Sequence, residues 1–333
     1  MRVSVLGLGM WGFCLARHLA LNGHTVTGWT KEPHIFDILQ KGENHPNLMQ
    51  PARGLPIRLT MSLEEAVSEA ELIVESVTTG GLRQVLQSLH SLQPSLSIPI
   101  VLTSKGIEQK TYLFPPDVAA DIFGRSCMGR VAMLSGPSFA TEVAKQLPTA
   151  IVCGGTNPEV CDLVIQTFSS KAFRVYPNPD IRGVALGGAL KNIIAISCGV
   201  ADGLGLGTGA LASLVTRGLH EMVKLAIAES CQPQTLYGLS GLGDLYLTCS
   251  SPMSRNFSFG KLMSTGLSRG EAEKRIGMVV EGAYTCIAAK ELGQRHSISM
   301  PITEAVFDML AGTLSATEAV TRLMQRDIKE ERL

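Results

Sequence analysis

Six residues near the N-terminus restrict this chain more than any others. RVSVL (2–6) has the apolar texture of a short buried strand, and Gly7-Leu8-Gly9-Met10-Trp11-Gly12 follows without a spacer. FCLARHLALNGH then reads as a helix stopped at Asn22-Gly23, and TVTGWT (25–30) as a second strand. Strand, glycine turn, helix and strand within about thirty residues form the unit from which a doubly wound sheet is built. Glycine at 7 permits a tight turn, glycine at 9 lets the backbone approach a pyrophosphate, and glycine at 12 lets the helix pack close to the sheet. The helix start adds N–H groups and a positive dipole end. The chain has 34 glycines, so G-x-G-x-x-G alone arises by chance. Its placement between a strand and a helix is what implies a bound dinucleotide. A glycine-rich turn without a ligand is the competing reading.

The same segment, Arg2 followed by VSVLGLGMWGFCLA with a Cys14-x-Ala16 end, also resembles a short secretory signal. Its glycines fall at fixed turn positions, however, and removing it would orphan the strand at 25–30. The expectation is a cytoplasmic protein. Eight cysteines form no CxxC and several sit in apolar runs, as buried reduced thiols do in a reducing compartment. The histidines show no HExxH, so no metal is expected. Lys+Arg and Asp+Glu are both 29, which gives no support for nucleic-acid or membrane-surface binding. The apolar stretch at 183–216 is broken by Lys191 and Asp202, and its uncharged pieces are too short to span a bilayer.

Further apolar strands follow at 71–77, 98–104, 130–135, 149–155 and 173–178, with helical segments between them such as 82–92 and the Asn157-Pro158-Glu159 start. Residues 42–58, rich in proline, read as an irregular loop. Beyond about Asp180 strand signals fade and helical stretches dominate: 181–200, 209–231, 268–275, 280–294, 301–311 and 315–327. The expected architecture is an α/β Rossmann-like doubly wound domain (1–180) followed by an all-α domain (181–333), with the boundary near 178–182.

Several strands end in polar or glycine-containing turns: Thr78-Thr79-Gly80, Ser104-Lys105-Gly106 and Gly136-Pro137-Ser138. Ligands of open α/β sheets sit beyond such strand ends. Ser138 is expected to cap the helix FATEVAK. After the second strand, Lys31 suits a ribose 2′-phosphate and Glu32 a 2′-hydroxyl, while a solvated loop pair accounts for both equally. The reading leans to NADP over NAD.

Lys191 lies in GVALGGALKNIIAIS, with Gly187, Gly188 and Ala195 one helical turn away. Small neighbours let a ligand or another backbone come close. A desolvated ammonium there has a lowered pKa and suits acid–base work on a carbonyl–alcohol pair. A lysine snorkelling from the edge of a packed helix fits the same pattern. Asp244 closes the glycine-rich GLSGLGD, and Ser254-Arg255-Asn256 follows. An arginine between hydroxyl and amide groups suits a phosphate, and an exposed surface arginine is the alternative.

Together these pieces resemble the NAD(P)-dependent glycerol-3-phosphate dehydrogenase family of bacterial type. The carrying motifs are GLGMWG, SKGIE (104–108), LSGPSFATEV (134–143), FRVYPNPDIRGVALGGALKNIIAI (173–196), DGLGLG (202–207), TRGLHE (216–221), GLGDL (241–245), SRN (254–256) and GMVVEG (277–282). The resemblance implies interconversion of sn-glycerol 3-phosphate and dihydroxyacetone phosphate by hydride transfer with NAD or NADP, supplying phospholipid synthesis. It implies Lys191 as the proton-transfer group and Lys105 as a substrate contact near the nicotinamide. Gly136 and Ser138 would lie beside it, and Asp244 would orient the lysine or a water. Ser254, Arg255 and Asn256 would hold the phosphate. The cofactor side would be Gly7, Gly9, Met10, Trp11, Gly12, Lys31, Lys105, Ala140, Arg255, Val279 and Glu281. A homodimer is a family-level expectation.

Met10 stands where the family commonly has serine, Lys31-Glu32 replaces a basic pair, Thr78-Thr79 replaces a proline-containing turn, and 42–58 matches poorly. All four concern the nucleotide rather than the reaction. A β-hydroxyacid or ketopantoate-type reductase would bind a carboxylate, against which the GPS and SRN segments argue. A non-catalytic dinucleotide sensor has no need of Lys191, Lys105 and Asp244 together.

Overall fold

The computed structural model describes residues 1–328 and 330. Residues 331–333, the end of the expected helical domain, lie outside the described residues. The chain divides into two compact units, Met1–Ser104 with Pro115–Val184, and Lys105–Phe114 with Ala185–Leu333. The segment 105–114, which a single boundary near 178–182 leaves in the first domain, thus belongs with the second unit.

The first unit begins with β1 (Arg2–Leu6), α1 (Met10–Leu21), β2 (Thr25–Trp29), α2 (Pro33–Gln40), β3 (Ile57–Thr60), α3 (Leu63–Val67), β4 (Leu72–Glu75) and α4 (Thr79–Leu92). It continues with β5 (Ile100–Leu102), α5 (Pro115–Phe123), β6 (Val131–Ser135), α6 (Ala140–Ala144), β7 (Thr149–Gly155), α7 (Pro158–Phe168) and β8 (Phe173–Asn178). The eight strands form one sheet in the order β3-β2-β1-β4-β5-β6-β7-β8. The central apolar strands β4, β5 and β6 are buried on both faces, as crossover helices require, whereas the edge strands β3 and β8 are partly exposed. From β1 the chain winds out to β3, then returns past β1 to β4. The strand order therefore reverses between β1 and β4, the switch point at which such sheets take ligands.

Two features depart from expectation. The strand β7 runs antiparallel to β6, joined through the five-residue α6, whereas the eleven-residue α7 returns the chain parallel from β7 to β8. The 42–58 loop ends in a strand, since β3 starts at Ile57 and pairs with the edge of β2. Within that loop an Asn44–Pro51 bridge closes over His45, which is fully buried.

The second unit contains most of α8 (Ile181–Gly203), then α9 (Thr208–Ala228), α10 (Pro233–Leu236), a π-type turn (Leu239–Gly243), α11 (Asp244–Cys249) and α12 (Arg255–Met263). It ends with α13 (Arg269–Ile276), α14 (Glu281–Arg295), α15 (Pro301–Leu310) and α16 (Ala316–Met324). The helix α8 runs unbroken through Lys191 and meets the length and composition of a membrane span, but its apolar stretch is wholly buried. Glycines let its neighbours close in. A Cβ at Gly199 would lie 1.9 Å from the Phe257 carbonyl, and one at Gly260 2.0 Å from that of Ile196, so α8 and α12 cross nearly backbone to backbone. Such a helix, apolar all round, belongs at the centre of a bundle.

Candidate active site

In the first unit the glycine turn has the shape a dinucleotide needs. Gly7 has φ +103°, and a Cβ there would sit 2.6 Å from the Ser76 carbonyl oxygen. A Cβ at Gly12 would lie 1.9 Å from Gly7 O, so the helix start rests on the turn itself. At Gly9 an added Cβ would meet nothing within 4 Å. Close packing on two glycines and open space at the third leave backbone exposed where a pyrophosphate fits. Gly9 is the N-cap of α1, with no side-chain cap and no acidic residue in the first turn. Those are the conditions for anion binding at a helix start. Met10 and Trp11 pack partly against the core, and buried His45 donates from Nε2 to Leu8 O at 3.0 Å, tying the 42–58 loop to the turn. Sequence reasoning missed His45 because a histidine in a proline-rich loop carries no pattern.

Beyond β2, Lys31 is exposed and Glu32 occupies the N-cap position of α2. Gly136 turns with φ +143°. Ser138 does not cap the following helix. The N-cap of α6 is Phe139, and the Ser138 hydroxyl instead donates to Gly136 O at 3.1 Å. The turn runs one residue longer than the helix pattern suggests. Ala140 is buried, its carbonyl accepting from the Cys14 thiol.

The second unit gathers the chemical residues. Lys191, midway along α8, is 6 % exposed, and Asp244, at the start of α11, is 1 % exposed. The Lys191 ammonium donates to Asp244 Oδ1 and, at 2.8 Å, to Thr248 Oγ1. Lys105 Nζ donates to Asp244 Oδ2 at 2.7 Å. One carboxylate thus holds two ammonium groups, one on each oxygen. Burial lowers the Lys191 pKa to about 8, the charge of Asp244 working against that and the charge of Lys105 adding to it. Burial alone would raise the Asp244 carboxyl, but Lys105 and Lys191 outweigh it and hold it below its usual value.

Local sequence explains this convergence. A Cβ at Gly187 would stand 2.6 Å from the Ser240 carbonyl. The small residue one turn before Lys191 therefore admits a neighbouring backbone, that of the π-type turn which delivers Asp244. Such turns are uncommon and concentrate at functional sites. Thr248, one turn after Asp244 on α11, shares its face. Lys105 opens a short loop closed by Glu108 N–H to Leu113 O and anchored by buried Ile107 and Phe114.

The flanking polar residues are more constrained than the sequence suggests. Ser254 is the N-cap of α12, accepting from Phe257 N at 3.2 Å. Asn256 donates to Asn192 Oδ1 at 2.9 Å and accepts from Gly282 N at 3.0 Å. Arg255 is partly exposed and donates to Val279 O at 3.0 Å. Val279 is 44 % exposed, and Glu281 opens α14. Thr248 and Asn192 went unassigned in the sequence. Their signals were the four-residue spacing from Asp244 and the place next to Lys191.

The sequence model described as the NAD-dependent glycerol-3-phosphate dehydrogenase N-terminus matches residues 2–161, and that of the C-terminus matches 180–321. The chain belongs to this dehydrogenase family. A glycerol-3-phosphate dehydrogenase [NAD(P)+] of Protochlamydia amoebophila is 50% identical over 332 residues, covering 100% of this chain and 99% of its own. The Chlamydia trachomatis serovar L2 enzyme of the same name is 47% identical, covering 99% of both. The crystal structure of the Coxiella burnetii glycerol-3-phosphate dehydrogenase superposes with a TM-score of 0.91 at 35% identity, covering 98% of this chain and 99% of the other. In this member of the family the π-type turn, the paired lysines and the capped start of α12 are the local features that build the second unit's candidate site.

Proposed function

We propose that this chain interconverts sn-glycerol 3-phosphate and dihydroxyacetone phosphate with NAD or NADP. The observation that carries the chemistry is a buried lysine whose pKa of about 8 lies near working pH, paired with Asp244 and Thr248. The nicotinamide, when bound, gives hydride to C2 or takes it from C2. In reduction the Lys191 ammonium hands its proton to the C2 oxygen and is left neutral. In oxidation neutral Lys191 takes the hydroxyl proton. Asp244 keeps the ammonium aimed and offsets its desolvation, and Thr248 Oγ1 fixes its direction. Lys105, on the second oxygen of Asp244, adds positive charge where the C2 oxygen turns negative.

Arg255 at the first turn of α12 takes the phosphate, with Ser254 and Asn256 setting that turn. Gly136 and Ser138 are assigned to substrate contact. Gly7, Gly9, Met10, Trp11, Gly12, Lys31, Lys105, Ala140, Arg255, Val279 and Glu281 are assigned to the dinucleotide. Lys31, unaccompanied by a second base, supports only a lean toward NADP.

The chain is assigned to the cytoplasm, supported by eight cysteines that are all buried free thiols. A homodimer through the second unit is supported by Leu206, 42 % exposed in the turn before α9, beside an apolar cavity of about 900 Å³. Purified protein given dihydroxyacetone phosphate is expected to consume NADH or NADPH. Lys191→Met should abolish turnover and leave dinucleotide binding intact; normal turnover in that variant would overturn the assignment.

A further inference from the structure

We infer that Glu75 is a positioning residue for the dinucleotide, its carboxyl fixing the turns after β4 and β5 beside the glycine turn. The inference rests on the reading that residues 7–12 receive that ligand.

Glu75 ends β4, an otherwise apolar strand at the switch point, and is 0 % exposed. A buried carboxylate is tolerated only when its oxygens are satisfied. Among the described residues its partners are hydrogen-bond donors rather than cations. Val77 N donates to Oε1 at 2.7 Å, Ser104 Oγ to the same oxygen at 2.6 Å, and Thr103 N to Oε2 at 3.3 Å. Val77 opens the turn after β4, and Thr103 and Ser104 follow β5. One side chain therefore ties together two of the turns at the ligand-bearing edge.

The glycine turn is bound to the same assembly. Glu75 lies in register with Leu6, the residue before Gly7, and Ser76 N donates to Leu6 O at 2.8 Å. The Ser76 carbonyl is the group that leaves no room for a Cβ at Gly7. A shift of the β4 end would move the wall against which the glycine turn is packed.

Ser104 makes both protonation states workable. Its hydroxyl lies 2.6 Å from Glu75 Oε1 and 2.9 Å from Val77 O. With Glu75 ionised, Ser104 donates to the carboxylate. With Glu75 protonated, the carboxyl donates to Ser104, which donates to Val77 O. Burial raises the Glu75 pKa to about 7, its hydrogen bonds pulling the other way with no charged neighbour contributing. A pyrophosphate brings negative charge to this edge, so the ligand favours the neutral carboxyl. By linkage, affinity falls as pH rises through neutrality.

The test is direct binding of NADH and NADPH to the full-length protein from about pH 6 to pH 8, followed by Trp fluorescence. Trp11 lies in the glycine turn. Wild type is expected to lose about threefold to tenfold in affinity over that range. Glu75→Gln, isosteric with the protonated form, should hold its low-pH affinity throughout. Glu75→Val, which leaves the Val77 N–H without its acceptor, should bind about tenfold more weakly at every pH. Wild-type affinity in Glu75→Val at every pH overturns the inference, and coincident pH profiles for wild type and Glu75→Gln exclude Glu75 as the source of the pH dependence. Absence of binding by wild type overturns the underlying reading of the glycine turn instead.

Discussion

Asp244→Asn separates charge from shape at the centre of the second unit. The amide keeps the size of the carboxyl but leaves two ammonium groups, Lys105 and Lys191, without their counter-ion. With a pKa of about 8, Lys191 in the wild type is about 90% protonated at pH 7 and ready to act as an acid in reduction. The substitution removes the charge that sustains the ammonium and leaves one acceptor oxygen for two lysines, while burial and Lys105, which both oppose the charged form, remain. One close charge pair at an effective dielectric near 20 is worth about 4 kcal/mol, or about three pKa units. Half of that suffices to leave Lys191 mostly neutral at pH 7. Reduction of dihydroxyacetone phosphate at pH 7 should therefore fall between about fourfold, for half of that loss, and about ninetyfold, for all of it, recovering in part as pH is lowered. Oxidation, which needs the neutral lysine, should lose less at the same pH. The assay is kcat/KM in both directions against pH, read from nicotinamide absorbance. In the wild type the reductive limb should descend, and the oxidative limb rise, near pH 8. If Asp244→Asn leaves the descending limb in place and lowers both directions equally, then Asp244 does not set the charge of Lys191.

Arg255→Ala should lower turnover of phosphate-bearing substrates by about a hundredfold while sparing a non-phosphorylated analogue, because the lost contact serves orientation as well as affinity. Equal loss on both substrates would contradict its role. Gly12→Ala, which places a Cβ 1.9 Å from Gly7 O, should abolish dinucleotide binding and leave the substrate unit folded; near-normal NADH titration would refute the packing argument. Buried Glu221 accepts from Ile302 N at 2.6 Å and Thr303 N at 3.1 Å at the start of α15, and burial raises its pKa from 4.5 to about 7. The folded state then holds an extra proton between those values. Stability is thus greater at the acid end and declines as pH rises from 4.5 to 7, by up to about 3 kcal/mol for that shift. Glu221→Gln should flatten this part of the melting profile, and an unchanged slope would exclude Glu221 as its source.

The strands at 2–6, 71–77 and 149–155 were legible because burial on both faces of the sheet demands apolar runs, and that at 25–30 from its place after the glycine turn and helix. The first helix and α8 were legible because glycine punctuation and composition mark them. The direction of β7 was not, since an apolar run carries no information about which way its neighbour points. Nor was the place of 105–114 in the second unit, which depends on Lys105 meeting Asp244 and Gln109 meeting the Tyr284 carbonyl far along the chain. Lys191, Asp244 and Lys105 could each be named, and Asp244 set beside a lysine, but only the fold puts both lysines on the one Asp244 carboxylate. Ser138 and Ser254 show the opposite limit. Both are capping residues by type, yet only Ser254 caps a helix.

The same burial explains why Lys191 is useful and why its surroundings are readable. An ammonium at the middle of an exposed helix would keep its usual pKa near 10.4 and would be a poor base at neutral pH. To bring it to about 8, α8 must lie at the centre of the unit, covered on all sides. Cover that close is possible only where the crossing helices lack side chains, hence Gly199 against Phe257, Gly260 against Ile196 and Gly187 against Ser240. A buried ammonium must also keep a partner, and only a turn delivering Asp244 across the gap opened by Gly187 supplies one. The glycines and the charged pair are thus two requirements of one device. Enlarging Gly187 should therefore impair proton transfer through Asp244 even though Gly187 touches no substrate. Its effect should appear as a displaced pH profile rather than as weakened phosphate binding.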